Sequence, residues 1–321
     1  MSNQGESDSF LNLSLVIPVF NEAEMVNLFI DRVSRVFKKH PSVSIEFLFV
    51  NDGSTDSTLE ILLLLQQQDP RVKVVELSRN FGKESALSAG LQIAKGDVVV
   101  PIDVDLQDPP EIILEMIEKW RDGYEVVLGR RANRNHDSWA KRTSANWFYR
   151  VHNKIANPKL PENVGDFRLM DRCVIDALKT LPESCRFMKG LFAWVGFRTA
   201  YIEYTRAQRV AGTSKFNGWK LWNFALEGMT SFSTDPLRIW TYLGLLVSLL
   251  AFIFAIFIVF KVIILGVDVP GYASIMVAVT FLGGLQLVGI GVIGEYLGRT
   301  YIESKRRPVF LVRRVYQIED D

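Results

Sequence analysis

Asp103, Asp105, Gln107 and Asp108 close the run Val98-Val-Val-Pro-Ile-Asp-Val-Asp-Leu-Gln-Asp108. In an extended chain Asp103 and Asp105 point the same way, and Val104 turns back toward a core. Two carboxylates and an amide at the end of an apolar strand are hard oxygen ligands. They suit Mg²⁺ or Mn²⁺ holding a diphosphate. A plain surface turn would use the same residue types, since Asp and Pro-Pro are turn formers. One Asp-x-Asp does not separate these readings, so its surroundings must.

Those surroundings read as repeated strand-helix units. Leu13 to Val19 is an apolar run ending near Pro18, and Asn21-Glu22 follows it. Met25, Phe29, Val33 and Val36 then recur at helical spacing. Ile45 to Val50 forms a second strand with the turn Asn51-Asp-Gly-Ser-Thr-Asp56, and Asp56 caps a helix over 57–68 whose leucines are buried. Val72 to Leu77 is a third strand, and Asn80-Phe-Gly-Lys83 leads into an Ala-rich helix. After the acidic run, Pro109-Pro110-Glu111 starts another helix and Glu125 to Leu128 makes another strand. This pattern predicts an α/β fold with a mostly parallel sheet covered on both faces. Asn21, Glu22, Asn51, Asp52, Asp103 and Asp105 then gather at strand carboxyl ends, where open α/β sheets bind ligands. Neither a Gly-x-Gly-x-x-Gly after the first strand nor a Walker lysine motif is present, which weighs against a dinucleotide or P-loop site.

The segment 129–159 differs in kind. Arg130, Arg131, Arg134, Lys141, Arg142, Arg150, Lys154 and Lys159 face a single acid, Asp137, while Trp139, Trp147, Val151 and Ile155 share a helical stripe. A basic helix with tryptophans on its apolar side fits the bilayer interface. Nucleic acid or a second subunit would fit the same pattern; the apolar blocks that follow favour the membrane, and no nucleic-acid partner is expected. Trp219, Trp222, Phe224, Leu226 and Met229 mark a second such stretch, so interfacial helices are expected near 137–156 and 217–231. Between them, Asp166 and Arg168 share a face if that stretch is extended. The stretch Arg206-Ala-Gln-Arg209-Val-Ala-Gly212-Thr-Ser214-Lys215 sets Gly and Ser among cations, as a loop closing over phosphate would. An exposed salt-bridged loop fits each of these two stretches as well.

Trp240 to Leu265 and Gly271 to Gly294 are apolar, broken only by Lys261. Each is long enough to cross a hydrocarbon core of about 30 Å. The short link 266–270 makes them a hairpin. Arg299, Lys305, Arg306, Arg307, Arg313 and Arg314 follow, which places both chain ends in the cytoplasm. Gly283, Gly284, Gly289, Gly291 and Gly294 allow close helix packing, and a homo-oligomer is expected. The first dozen residues are polar and unlike a signal peptide. The net charge of +1 therefore averages over charged ends and an uncharged third. Cys173 and Cys185 form no framework, and His40, His136 and His152 are too scattered for a zinc site.

The ordered set Val16-Ile-Pro-Val-Phe-Asn-Glu22, Asn51-Asp-Gly-Ser-Thr-Asp56, Asn80-Phe-Gly-Lys83, Asp103-Val-Asp-Leu-Gln-Asp-Pro-Pro-Glu111, Gly165-Asp-Phe-Arg-Leu-Met-Asp171 and Gly212-Thr-Ser-Lys-Phe216, with the hairpin, resembles glycosyltransferase family 2. Within it the chain is most similar to the polyprenyl-phosphate branch of dolichol-phosphate mannose synthases and bacterial bactoprenol (undecaprenyl-phosphate) glucosyltransferases of O-antigen modification. The resemblance implies a Rossmann-like GT-A domain over 1–235, a transmembrane hairpin over 236–296 and a basic tail over 297–321 in a bacterial inner membrane. It implies inverting transfer of a hexose from a nucleotide-sugar donor, UDP-glucose first, to a polyprenyl phosphate. GDP-mannose or UDP-galactose as donor, or a membrane-anchored binding protein without catalysis, are the alternatives. A processive synthase is disfavoured because it would carry more spans and a Gln-x-x-Arg-Trp motif.

By the same resemblance Pro18, Phe20, Glu22 and Asp52 hold the nucleoside, with Lys83 and Asp103 at its diphosphate end. Asp103, Asp105 and Gln107 meet Mg²⁺ or Mn²⁺. Arg130 and Arg131, helped by Arg134, Lys141, Arg209, Ser214 and Lys215, receive the lipid phosphate. Asp166 matches a base, though orienting an arginine or the sugar is our preferred role, and Arg168 accompanies it. Trp139, Trp147, Trp219 and Trp222 sit at the membrane interface.

Overall fold

The computed structural model describes residues 10–132, 159, 161, 164–183, 186–206, 234–265 and 271–317. Its first strand, β1 (Leu11–Val19), is apolar along nearly its whole length because it lies mid-sheet with both faces covered. Helix α1 (Val26–Phe37), β2 (Val43–Asn51), α2 (Thr58–Gln68), β3 (Val72–Leu77), α3 (Lys83–Ile93), β4 (Val98–Pro101), α4 (Ile112–Arg121) and β5 (Val126–Arg131) follow in alternation. Next come β6 (Val164–Asp171), α5 (Arg172–Lys179), α6 (Met188–Trp194), β7 (Thr199–Tyr204), α7 (Asp235–Leu265), α8 (Tyr272–Ser304) and β8 (Val312–Tyr316).

The strands order as β7-β5-β6-β4-β1-β2-β3-β8. Only β6 and β8 run against the others among the described residues, so the sheet is mostly parallel as expected. Leu13, Leu15 and Ile17 project to the face covered by α1, α2 and α4. Val16 projects to the face covered by α3, α5 and α6. Phe29 of α1 meets Phe49 of β2 edge-on, with ring centroids 6.3 Å apart. Burying such side chains gains about 1.5–3 kcal/mol each. Helix α3 lies unusually close to the sheet: a Cβ on Gly90 would stand 2.2 Å from Val16 Cγ1. Buried Ser14 is satisfied, bonding Glu46 and accepting from the Gly96 N–H at 2.8 Å.

Three expectations change. The leucines after Asp56 are not uniformly buried: Leu62 is fully covered, whereas Leu64 is 58% exposed, because α2 lies on the sheet along one stripe only. Its helix begins at Thr58, whose N–H donates to Asp56 at 3.1 Å, so Asp56 lies one residue before the cap position. The basic tail is not separate. Its residues Val312–Tyr316 form β8, which pairs antiparallel with β3 and fastens to Glu76 through Arg313 (3.1 Å) and Tyr316 Oη (2.9 Å).

Val277–Ser304 of α8 is long and apolar enough to cross a membrane, with mean hydropathy 2.0. Helix α7 carries a shorter apolar stretch, Ile239–Phe254. Phe252, Phe254, Phe281, Leu287 and Ile290 lie open on these helices, a far larger apolar surface than a soluble monomer presents. Strand β8 covers what would otherwise be an open sheet edge on β3. Deleting 309–321 should therefore lower the Tm in detergent by about 3–8 °C and promote aggregation. A Tm equal to the full chain's would mean that β8 adds nothing to the folded unit.

Candidate active site

The first three parallel strands end in loops that are tied to one another. Asn21, with φ +56°, donates its N–H to Ser54 Oγ (3.0 Å) and accepts from the Thr55 N–H (2.8 Å). The Glu22 N–H donates to Thr58 Oγ1 at 2.9 Å. Asp52 is only 3% exposed and accepts from the Phe81 and Gly82 N–H groups at 2.7 and 2.9 Å. Burial raises its pKa although both N–H groups oppose the shift. Asp52 thus fastens the loop that delivers Lys83. Gly53 is required beside it: φ is +67°, and a Cβ would lie 2.6 Å from Asn80 N. Pro18, Phe20 and Glu22 are half-buried at the mouth of the same crevice.

The acidic run departs from the extended geometry expected of it. Strand β4 stops at Pro101, and Asp103 to Gln107 form a turn in which Leu106 takes φ +56°. Val104 is buried as expected. Asp105 Oδ1 accepts from the Gln107 N–H at 3.1 Å, whereas Asp103 faces Lys83, whose Nζ is 2.7 Å from its Oδ1. The antiparallel course of β6 brings its first residues to the end where β4 and β5 finish. Asp166 Oδ2 is there 3.1 Å from the same Lys83 Nζ. One ammonium therefore joins two acids that lie far apart in sequence.

Charge governs the titration of this group. Burial disfavours ionised Asp166, yet Lys83 first, then Lys189 and Arg168, hold its carboxyl well below the usual range. Burial likewise disfavours the Lys83 ammonium, and Asp103 and Asp166 raise its pKa all the same. Glu84 is pushed up to about 7, by burial and then by the Asp166 charge. Asp166 Oδ1 is buried without a hydrogen-bond partner among the described residues, so one oxygen of this anion is left for a ligand.

The strand period separates Arg130 from Arg131. Arg130 is exposed, while Arg131 turns to the opposite face of β5, beside Tyr204, its register partner on β7. Asp166 and Arg168 do share a face of β6, as an extended chain requires. Arg168 is 4% exposed, donates to the Gly165 carbonyl at 2.7 Å and stacks over Phe192 at 4.0 Å. It braces the strand from beneath. Arg134, Lys141, Arg209, Ser214, Lys215, Trp139, Trp147, Trp219 and Trp222 lie outside the described residues.

Four residues with no individual role assigned from the sequence join the site. Asp108 is 5% exposed and accepts from Tyr204 Oη at 2.5 Å, with Arg206 Nε 3.6 Å away. Asp108 was visible in the acidic run, but only the β5–β7 pairing brings Tyr204 and Arg206 to it. Lys189, at the start of α6, adds its charge near Asp166.

The site lies in a three-layer α/β fold with acids and cations at the carboxyl ends of its parallel strands. Mannosyl-3-phosphoglycerate synthase from Rubrobacter xylanophilus shares the fold, at TM-score 0.50 and 18% identity, over 68% of this chain and 71% of that one. Residues 14–178 match the glycosyl transferase family 2 model, and the chain belongs to that family. It is 54% identical to the prophage bactoprenol glucosyl transferase homolog of Escherichia coli (strain K12) over 95% of this chain and 99% of the relative. With the bactoprenol glucosyl transferase of Shigella phage SfV the identity is 53%, over 96% and 100%.

The Glu84 shift predicts a pH signature. A carboxyl raised from 4.5 to about 7 binds its proton more tightly in the folded chain. Stability therefore falls as pH rises across that interval and stays lower above it. Glu84→Gln keeps an acceptor for the Met188 N–H (3.2 Å) and removes the charge. Its Tm should exceed the parent's at about pH 8 and converge with it at about pH 4; a difference constant across pH would contradict the assignment.

Proposed function

We propose that this chain transfers glucose from UDP-glucose to the phosphate of a membrane polyprenol, undecaprenyl phosphate, with inversion at the sugar's anomeric carbon. One observation carries the reading: bactoprenol glucosyl transferases match it at 53–54% identity over essentially their full lengths. The Lys83-centred acid cluster at the strand ends supplies chemistry of the required kind. Residues 1–235 act as a cytoplasmic GT-A domain, to which β8 adds an edge strand.

The turn after β4 fits a divalent ion, Mg²⁺ or Mn²⁺. Asp103, Asp105 and Gln107 bring only oxygen donors, and all three are half-buried at the crevice. Among the described residues no group of three or more His, Cys, Asp or Glu side chains gathers to enclose a metal. The remaining ligands of such an ion would come from diphosphate and water. Bound there, the ion would offset the charge of the leaving diphosphate. Lys83 adds a fixed cation beside it.

The acceptor oxygen belongs to a phosphate monoester already anionic near neutral pH, so no strong base is needed. Asp166, held as an anion by Lys83, is a poor proton acceptor; it orients Lys83 and the sugar. Arg131 receives the acceptor phosphate, assisted by Arg134, Lys141, Arg209, Ser214 and Lys215, whereas Arg130 stands exposed on the opposite face of β5. Trp139, Trp147, Trp219 and Trp222 hold the catalytic face at headgroup depth, where the lipid phosphate stays.

The chain leaves the catalytic domain at α7, and β8 rejoins the catalytic sheet after α8. A single crossing by α8 would strand β8 on the wrong side, which supports α7 as the second span. Both termini then lie in the cytoplasm, in keeping with Arg299, Lys305, Arg306 and Arg307 after α8. The glycine-rich α8 supplies the helix contact of a homo-oligomer.

Purified protein in nanodiscs with undecaprenyl phosphate, Mn²⁺ and radiolabelled UDP-glucose should move label into lipid, and a chelator should abolish the transfer. Label moving from another nucleotide sugar instead would change the donor and keep the reaction. Absence of lipid labelling from any donor would overturn the reading. Asp105→Asn should cut kcat/KM by at least ~10²-fold and weaken binding of UDP with Mn²⁺. Near-normal turnover and metal dependence in that variant would remove Asp105 from the metal site.

A further inference from the structure

Asp108 sits immediately after Gln107 and joins the turn below β4 to the end of β7. Its carboxylate is 5% exposed, and one oxygen takes both the Tyr204 hydroxyl (2.5 Å) and the approach of Arg206 Nε (3.6 Å). Arg131 reaches the same tyrosine hydroxyl from β5 and adds a second positive charge near Asp108. Arg131 Nη2 lies 3.0 Å from the place a Cβ on Gly165 would occupy, so the missing side chain lets the guanidinium lie against β6, one residue from Asp166. Both Arg131 Nε and Arg206 Nε are buried without a hydrogen-bond partner among the described residues.

Two guanidiniums drawn together without an anion repel each other. A buried carboxylate between them removes that repulsion and leaves one net positive charge. The planar fork of a guanidinium suits phosphate oxygens, and Arg131 Nε and Arg206 Nε have no hydrogen-bond partner of their own among the described residues. The Asp166 charge acts on Arg131 and the Asp103 charge on Asp108, so the pair lies within electrostatic reach of the Asp103–Lys83–Asp166 group.

We propose that Asp108, with Tyr204, is a positioning residue that holds Arg131 and Arg206 as a paired clamp for the acceptor phosphate. The inference rests on the polyprenyl-phosphate transfer proposed above and deepens it: Arg206 becomes a phosphate ligand, and Asp108 acts through the two arginines without touching either substrate.

Two variants of the full chain in nanodiscs test this. Tyr204→Phe removes one hydroxyl without changing volume, and Asp108→Asn removes the charge. For Tyr204→Phe the KM for undecaprenyl phosphate should rise about three- to tenfold, with kcat within about twofold. Asp108→Asn should raise KM by more than about tenfold, while calorimetric affinity for UDP with Mn²⁺ stays within about twofold of the parent. A fall in kcat at unchanged acceptor KM in both variants would overturn the proposal. So would parallel loss of UDP affinity in Asp108→Asn, since that would tie Asp108 to the metal turn. Wild-type protein inert toward undecaprenyl phosphate would mean that the transfer reading itself fails. The clamp is then judged by binding of farnesyl phosphate, which Tyr204→Phe should weaken by the same factor if it exists and leave unchanged if it does not.

Discussion

A single ammonium between two carboxylates organises the catalytic end of this protein. Lys83 opens α3, where the helix dipole disfavours a positive charge. Its position is tolerable because Asp103 and Asp166 approach it from two different strands. Removing the lysine would leave Asp103 and Asp166 without the cation they share, with Lys189 and Arg168 still near Asp166, which is more damaging than never having had the pair. The rest of the fold serves to deliver these groups. Gly90 lets α3 press onto Val16, Gly53 lets the loop after β2 pass under Asn80, and Asp52 ties the two N–H groups just before the lysine.

Strand order explains why the acids meet. β1, β2 and β3 proceed in one direction across the sheet, and β4 returns to the other side of β1. Loops diverge at that switch and open a crevice. A further parallel strand beside β4 would begin at the far end of the sheet. Running antiparallel, β6 presents its first residues at the near end, so Asp166 arrives from a strand's start where Asp103 arrives from a strand's finish. The same inversion brings Gly165 against Arg131.

Much of this was legible in the residues. The apolar runs of β1 to β5, the amphipathic spacing of α1 and the polar strand ends follow from local chemistry, and they led to the α/β class and the crevice. Asp166 and Arg168 sharing a face required only that β6 be extended. Long-range pairing was not legible. Nothing near Tyr204 or Arg206 points to Asp108, because a contact across ~10² positions depends on which strands become neighbours. The backbone turn at Leu106 was hidden for a related reason: a left-handed residue outside Gly or Asn is unusual, so alternation along the strand continued one turn too far. The basic residues of β8 looked like a tail because charge dominates their composition; pairing with β3 and the acid of Glu76 turn that charge into an edge strand.

That edge strand bears on how a soluble-looking sheet works on a lipid. In the two-span arrangement proposed above, a catalytic domain joined to the bilayer only at α7 would pivot about one hinge, and the height of its crevice above the headgroups would vary. β8 gives it a second attachment, made to β3 by backbone hydrogen bonds and side chains at Glu76. Segment 305–311 between α8 and β8 is short, and Phe310 packs against the second core cluster, so little slack remains. Two attachments at different points of one sheet restrict rotation far more than one does. For a substrate whose phosphate stays near headgroup depth, that restriction replaces some of the orientational entropy that each encounter would otherwise cost.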